Sequence, residues 1–167
     1  MKILPAAILS LVCATKVSAL SCMPPDAART FQYASESEAL YMAIWGELEF
    51  EPITLPDMGV TSDPAYVPPS AVAVFTGKAL SQSGFVDIEP REIIVQPSCI
   101  GSWCGNLTPN EPVLAYVEIA DDQTLTLNAG PCYSWHVPNP TPAMISVVET
   151  CIQGGPCEPD PFGGSGN

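Results

Sequence analysis

The sequence predicts a mainly β fold, in which five strands form a Greek-key barrel flanked by two short helices. Three observations lead to this prediction. Nineteen prolines and twelve glycines interrupt the 167-residue chain too often for long helices. The segments between them mostly alternate apolar and polar residues, as half-buried strands do. Six of the seven cysteines follow a leader-like N terminus, so we expect the barrel to be stapled by up to three disulfides.

The N terminus has the three-part pattern of a secretion signal. Lys2 supplies a positive charge, residues 3–13 are apolar, and small residues at 17–19 precede a predicted cut after Ala19. The apolar run is shorter than the roughly 18 residues of a membrane span, and Lys16 interrupts it. We therefore expect a signal peptide at 1–19 and no transmembrane anchor.

A cut after Ser21 is the alternative, and it would leave Cys22 at the N terminus. In a bacterial protein, an N-terminal Cys of this kind can carry a lipid anchor. A lipoprotein signal has Leu at the place that Ala19 holds here, and Leu20 comes one position too late. A soluble exported protein, secreted or periplasmic, with Cys22 in a disulfide is therefore favoured over a lipid anchor.

The predicted elements follow from local signals. Thr141 and Pro142 suit the start of a closing helix, and Gly154 follows its end. Residues 51–70 contain five prolines and no periodicity, which predicts an extended surface loop. In chain order, we expect a helix at 26–34, strands at 40–50, 71–80, 91–96, 113–119 and 124–127, and the closing helix.

Length and charge limit the function. One domain is expected at 20–157, followed by a disordered acidic tail rich in Gly and Pro at 158–167. Eighteen acidic residues against five Lys and Arg give a net charge of −13, which excludes nucleic acid and anionic membranes as partners. The acids are scattered, which is typical of a solvated surface; a docking surface for a basic partner, or loose binding of divalent cations, is the alternative.

Several short motifs resemble those of a known module. They are Cys22 ahead of the barrel, Val-Phe-Thr-Gly-Lys at 74–78, Trp-Cys-Gly at 103–105, and Pro131-Cys132. Over roughly 22–151 the chain resembles the netrin-like module, an OB-type barrel shared with tissue inhibitors of metalloproteinases. The resemblance implies a disulfide-stapled, OB-like Greek-key barrel. The Trp-Cys-Gly segment and the Gly-Gly-Pro-Cys ending at 154–157 also resemble uncharacterised secreted proteins of alphaproteobacteria.

Three bridges among six cysteines allow fifteen pairings. We expect Cys151 to bond locally to Cys157 and Cys99 to bond to Cys132. The remaining pair, Cys22 with Cys104, would staple the N-terminal segment to the barrel, as in netrin-like modules. A metal-binding role for these cysteines is disfavoured, because their spacings are looser than the Cys-x-x-Cys of structural zinc sites and the compartment is oxidising.

No residue set suggests catalysis, a cofactor or a metal. His136 is the only histidine, so neither a two-histidine zinc site nor a convincing catalytic triad is available. Aromatic residues flank Cys104 and Cys132, and the expected Cys99–Cys132 bridge would gather them at one end of the barrel. They either pack or form a patch for a protein or sugar partner. The candidate interface residues are Trp103, Tyr133, Trp135 and His136.

The function predicted from these observations is an exported, disulfide-stabilised, non-enzymatic binding module, whose partner is an unknown protein or carbohydrate. The alternative is a metalloprotease inhibitor resembling the tissue inhibitors, which place the free amine and carbonyl of an N-terminal Cys on the enzyme's zinc. That family begins with Cys-x-Cys, whereas Cys22 is followed by Met23-Pro24-Pro25. An enzyme is the third option, and it requires that His136 and several acids converge in one pocket.

Overall fold

The computed structural model describes residues 22–55, 66–101 and 103–160. These ranges contain two helices, α1 (Ala27–Glu36) and α2 (Pro142–Ile152). Their strands are β1 (Tyr41–Glu49), β2 (Ala71–Ser81), β3 (Gly84–Pro97), β4 (Cys99–Ile100), β5 (Trp103–Cys104), β6 (Val113–Ile119), β7 (Leu125–Ala129) and β8 (His136–Pro138).

Five of the strands close into a barrel. β1 pairs with β2 on one side and with β6 on the other, and β2 pairs in turn with β3. β7 lies parallel to β3 and antiparallel to the end of β6, while β8 pairs with the first half of β6. The order β6-β1-β2-β3 is a Greek key, with the fourth long strand beside the first. The predicted mainly β, five-stranded barrel with two short helices is confirmed.

The core has two layers, and β6 contributes to both. Residues 113–117 are all buried, although a strand with one solvated face would alternate. Val113, Ala115 and Val117 point into the barrel, whereas Leu114 and Tyr116 point outwards, beneath α1 and α2. The Tyr116 hydroxyl is buried there without a hydrogen-bond partner among the described residues, and its desolvation raises the pKa of the phenol.

β3 is longer than the sequence predicts. The predicted strand starts at Arg91, one residue after Pro90, whereas β3 begins at Gly84. In the structure Glu89 and Pro90 together lie opposite Thr76, because the register with β2 shifts at this point. Such a β-bulge accommodates a proline without ending the strand.

Both predicted helices are confirmed, and so is the predicted Thr141 cap; Asp26, which the prediction places inside the first helix, caps that helix instead. The Asp26 carboxylate accepts the Arg29 backbone N–H at 2.7 Å, and the Thr141 hydroxyl accepts that of Met144 at 3.3 Å. Residues 158–160, which the sequence places in a disordered tail, lie against α1 instead, where Asp160 contacts both Asp26 and Arg29.

The surface-loop prediction for 51–70 agrees with the irregular backbone at 51–55 and 66–70. The signal-peptide prediction at 1–19, the middle of this loop at 56–65, and the end of the predicted tail at 161–167 lie outside the described residues.

Two of the three predicted disulfide pairings are wrong. Cys151 bonds to Cys157, as expected, but the other bridges are Cys99–Cys104 and Cys22–Cys132. The reason for the first is the β4–β5 hairpin, whose register sets Cys99 directly opposite Cys104. Cys22 bonds to Cys132 in the loop after β7, so this bridge joins that loop to the segment just before α1.

Candidate functional site

The residues predicted as an interface have different environments. Trp135 is a packing residue, since its ring stacks on Tyr41 with centroids 4.4 Å apart and contacts both layers of the core. Trp103 lies on β5 and is 37% exposed. The predicted Cys99–Cys132 bridge, which was expected to gather these aromatic residues at one end of the barrel, is not formed.

Tyr133 has a strained backbone and an exposed ring. Its φ is 53°, in the left-handed region, which costs a non-glycine residue on the order of 1 kcal/mol or more. Its neighbours hold this conformation, because Cys132 is bonded to Cys22 and Trp135 is held by its stacking partner. The ring is 38% exposed. Strain that is maintained by surrounding structure is a common property of binding and active sites.

A cleft of about 230 Å³, which we call the tyrosine cleft, opens beside Tyr133. One wall is the segment from Cys22 into α1, including Tyr33, and the other is Cys132–Ser134. The Cys22–Cys132 disulfide links the two walls. Tyr33 is 45% exposed, and neither tyrosine hydroxyl makes a hydrogen bond within the described ranges. Both hydroxyls are therefore available to a ligand.

The charged groups of the tyrosine cleft are largely engaged in holding its walls. The two oxygens of Asp26 accept backbone N–H groups from Arg29 and Asp160. The Arg29 guanidinium donates to the Asp160 carbonyl at 3.3 Å and lies 3.5 Å from the Met23 sulfur. Asp26 is buried and serves as a helix cap, so it is not a free acid for catalysis.

His136 lies on the other side of Tyr133, in a small cleft of about 80 Å³. The Tyr133 ring meets the imidazole edge to face, with centroids 5.2 Å apart. The imidazole is 1% exposed, and neither ring nitrogen has a hydrogen-bond partner in the part of the chain that the structure describes. Desolvation lowers the pKa of His136 to about 4, so the ring is neutral at pH 7. Glu111 and Asn106 also line this cleft.

The described residues contain no cluster of three or more His, Cys, Asp or Glu side chains arranged to hold a metal ion. None of their helices is long and apolar enough to cross a membrane. What the tyrosine cleft offers chemically is two aromatic faces with free hydroxyls, on walls fixed by a disulfide.

Sequence reasoning identified Tyr133 but missed Tyr33 and Arg29. Both lie on the predicted first helix, but nothing local distinguishes them from other exposed helical side chains. Their proximity to Tyr133 depends on the Cys22–Cys132 pairing, which the sequence does not determine.

Comparison with known proteins yields no relative: no protein-family model, no curated protein and no solved structure matches this chain.

Proposed function

We propose that this protein is an exported, disulfide-stabilised binding module without enzymatic activity, and that its ligand occupies the tyrosine cleft. The observation that carries the proposal is the pair of half-exposed tyrosines, Tyr33 and Tyr133, on opposite walls of a cleft closed by the Cys22–Cys132 bridge. Tyrosine gives a large contact area and a polar tip with little loss of side-chain entropy, which favours its use in binding sites.

The cleft's size and chemistry bear on the class of ligand. At about 230 Å³ it lies below the usual range for drug-sized molecules, so it suits a protein side chain or a single sugar unit of a longer ligand. Flat aromatic faces beside free hydroxyls fit both a peptide and a carbohydrate. We therefore expect the partner to be an extracytoplasmic protein or a carbohydrate.

Export is part of the proposal. Three disulfides indicate an oxidising compartment, and the leader pattern at 1–19 supplies a route to it. N-terminal sequencing of the protein recovered outside the cytoplasm tests this step. A chain that begins at Leu20 supports it, whereas a chain that retains Met1 contradicts it.

The binding site is tested by screening the purified, oxidised protein against a glycan array and a displayed peptide library. Each hit is then measured with the double variant Tyr33→Ala/Tyr133→Ala and with Trp103→Ala. Trp103 is a matched control because it is an aromatic residue of similar exposure that does not line the cleft.

We expect hits whose affinity falls about tenfold or more in the double variant, because each lost aromatic anchor is worth about 1 kcal/mol or more. The Trp103→Ala variant should bind the same hits with unchanged affinity. Hits that survive the double variant, or that depend on Trp103 instead, would place the site elsewhere and refute the cleft as the binding site.

A further inference from the structure

A second surface, on the outside of the barrel, is separate from the tyrosine cleft. It consists of outward-facing residues from three adjacent strands, and we call it the acidic valine face. Its centre is Val74 on β2, which lies directly between Glu49 of β1 and Glu92 of β3. The face comprises Glu47, Glu49, Val72, Val74, Thr76, Glu92 and Ile94.

The apolar part of this face is open to solvent. Val72 is 63% exposed and Val74 44%, and both project from the same side of β2, with Ile94 beside Val72. Near the β2–β3 turn, by contrast, part of the outer surface is covered, since Leu80 and Phe85 pack with the core layer beneath α1 and α2. Two neighbouring exposed valines with carboxylates beside them present a mixed apolar and acidic surface to solvent.

Within the described residues, the carboxylates that flank the strip have no cationic partner. Directly opposed residues on neighbouring strands have Cβ atoms about 5 Å apart, so Glu49 and Glu92 lie on either side of Val74. Glu47 follows on the same side as Glu49. The described part of the chain contains one ion pair, Lys78 with Asp87, and it involves none of these three glutamates.

The negative charge of the acidic valine face determines which binding partner fits it. The loop segment 56–65 contains two aspartates and neither Lys nor Arg, so it would add negative charge to a negative surface. A second copy of the chain, with a net charge of −13, would be repelled in the same way. We propose that the acidic valine face binds a cationic amphipathic segment of another protein, whose apolar side chains cover Val72 and Val74 while its Lys or Arg residues reach Glu49 and Glu92.

The probe is a short synthetic peptide of alternating Lys and Leu, titrated into the isotope-labelled, oxidised protein and followed by NMR and calorimetry. An oligolysine peptide of equal charge serves as the non-amphipathic control. Glu49→Gln/Glu92→Gln removes two charges from the face. Glu36→Gln/Glu38→Gln removes the same charge from two exposed acids at the end of α1. Val72→Thr/Val74→Thr removes the apolar strip but keeps β-branched side chains.

We expect the largest shifts at residues 72–76 and 92–94, and affinity that falls as salt rises. Glu49→Gln/Glu92→Gln should weaken binding about three- to tenfold, since exposed charge pairs contribute modestly. The valine variant should reduce binding to the oligolysine level. Equal losses in the two glutamine variants, or equal binding of oligolysine to the unmodified protein, would mean general charge attraction and overturn the proposal. Shifts confined to the tyrosine cleft would overturn it too.

Discussion

Acid should destabilise this protein through His136, because the folded chain keeps the imidazole neutral. The ring is 1% exposed and neither nitrogen has a hydrogen-bond partner within residues 22–55, 66–101 and 103–160, so protonation in the folded state would bury an uncompensated charge. Burial lowers the pKa of His136 from its ordinary value of 6.5 to about 4. Glu111 and Tyr133, which line the same cleft, are the titratable groups facing it.

The sign and size follow from proton linkage. Above pH 6.5 both folded and unfolded chains carry neutral His136, and the residue adds no pH dependence. Between pH 6.5 and 4 the unfolded chain binds a proton that the folded chain does not, so the free energy of unfolding falls as pH falls. The full loss, complete below pH 4, is about 3 kcal/mol, because one unit of pKa corresponds to about 1.4 kcal/mol.

The assay is urea denaturation of the oxidised protein and of His136→Leu at a series of pH values down to pH 4. The comparison is necessary because many carboxylates titrate in the same range, and they do so equally in both proteins. Leu fills a similar volume and does not titrate, so the variant should match the wild type at neutral pH to within about 1.5 kcal/mol. Near pH 4.5 its advantage over the wild type should have grown by about 2.5 kcal/mol.

Parallel stability curves for the two proteins would refute this reasoning. They would show that His136 takes up its proton in the folded state, with water or Glu111 stabilising the imidazolium. NMR titration of the imidazole resonances distinguishes the two cases directly, since we expect a midpoint near 4 in the folded protein.

Four further comparisons test the packing. Replacing Cys22 and Cys132 with Ala should lower the free energy of unfolding by about 5 kcal/mol, because the bridge closes a loop with a sequence separation of 110. Replacing Cys99 and Cys104 with Ala should lower it by only about 2 kcal/mol, because that bridge closes a loop with a separation of 5. Tyr133→Gly should be about 1 kcal/mol more stable than Tyr133→Ala, since Gly relieves the left-handed strain. Tyr116→Phe should be neutral or stabilising by about 1 kcal/mol, because it removes a buried, unpartnered hydroxyl. Gly77→Ala should destabilise by about 2 kcal/mol or more, since its Cβ would collide with the Trp45 backbone carbonyl. Urea melts measure all four, and opposite signs or equal costs for the two bridges would contradict them.

Local signals were sufficient for most of the elements. Asp26 and Thr141 cap helices because each side-chain oxygen accepts an N–H within the next turn, an interaction that needs no distant partner. The Cys151–Cys157 bridge, with a separation of 6 residues, was also predicted locally, whereas the equally local Cys99–Cys104 bridge, with a separation of 5, was not. Alternation likewise located the barrel strands, except where the bulge at Pro90 allowed β3 to start earlier than the pattern indicates.

The candidate site was only half predictable. The sequence singled out Tyr133 because it follows a cysteine, and His136 because it is the only histidine. The surroundings of these two residues in the fold could not be predicted. The burial that makes His136 neutral and the cleft that joins Tyr133 to Tyr33 both arise from parts of the chain far apart in sequence.

The sequence by itself determined the five barrel strands and the two helices, the Thr141 cap, the acidic charge and the presence of a disulfide framework, because these depend on composition and on neighbours within a few residues. The short strands β4, β5 and β8 were not predicted. The tertiary structure alone decided that Cys22 meets Cys132, that α1 forms a wall of the tyrosine cleft, and that the exposed Val74, next to Val72, lies between two carboxylates. These features depend on which distant segments the barrel brings together, and many chain pairings compatible with the same local signals would have arranged them differently.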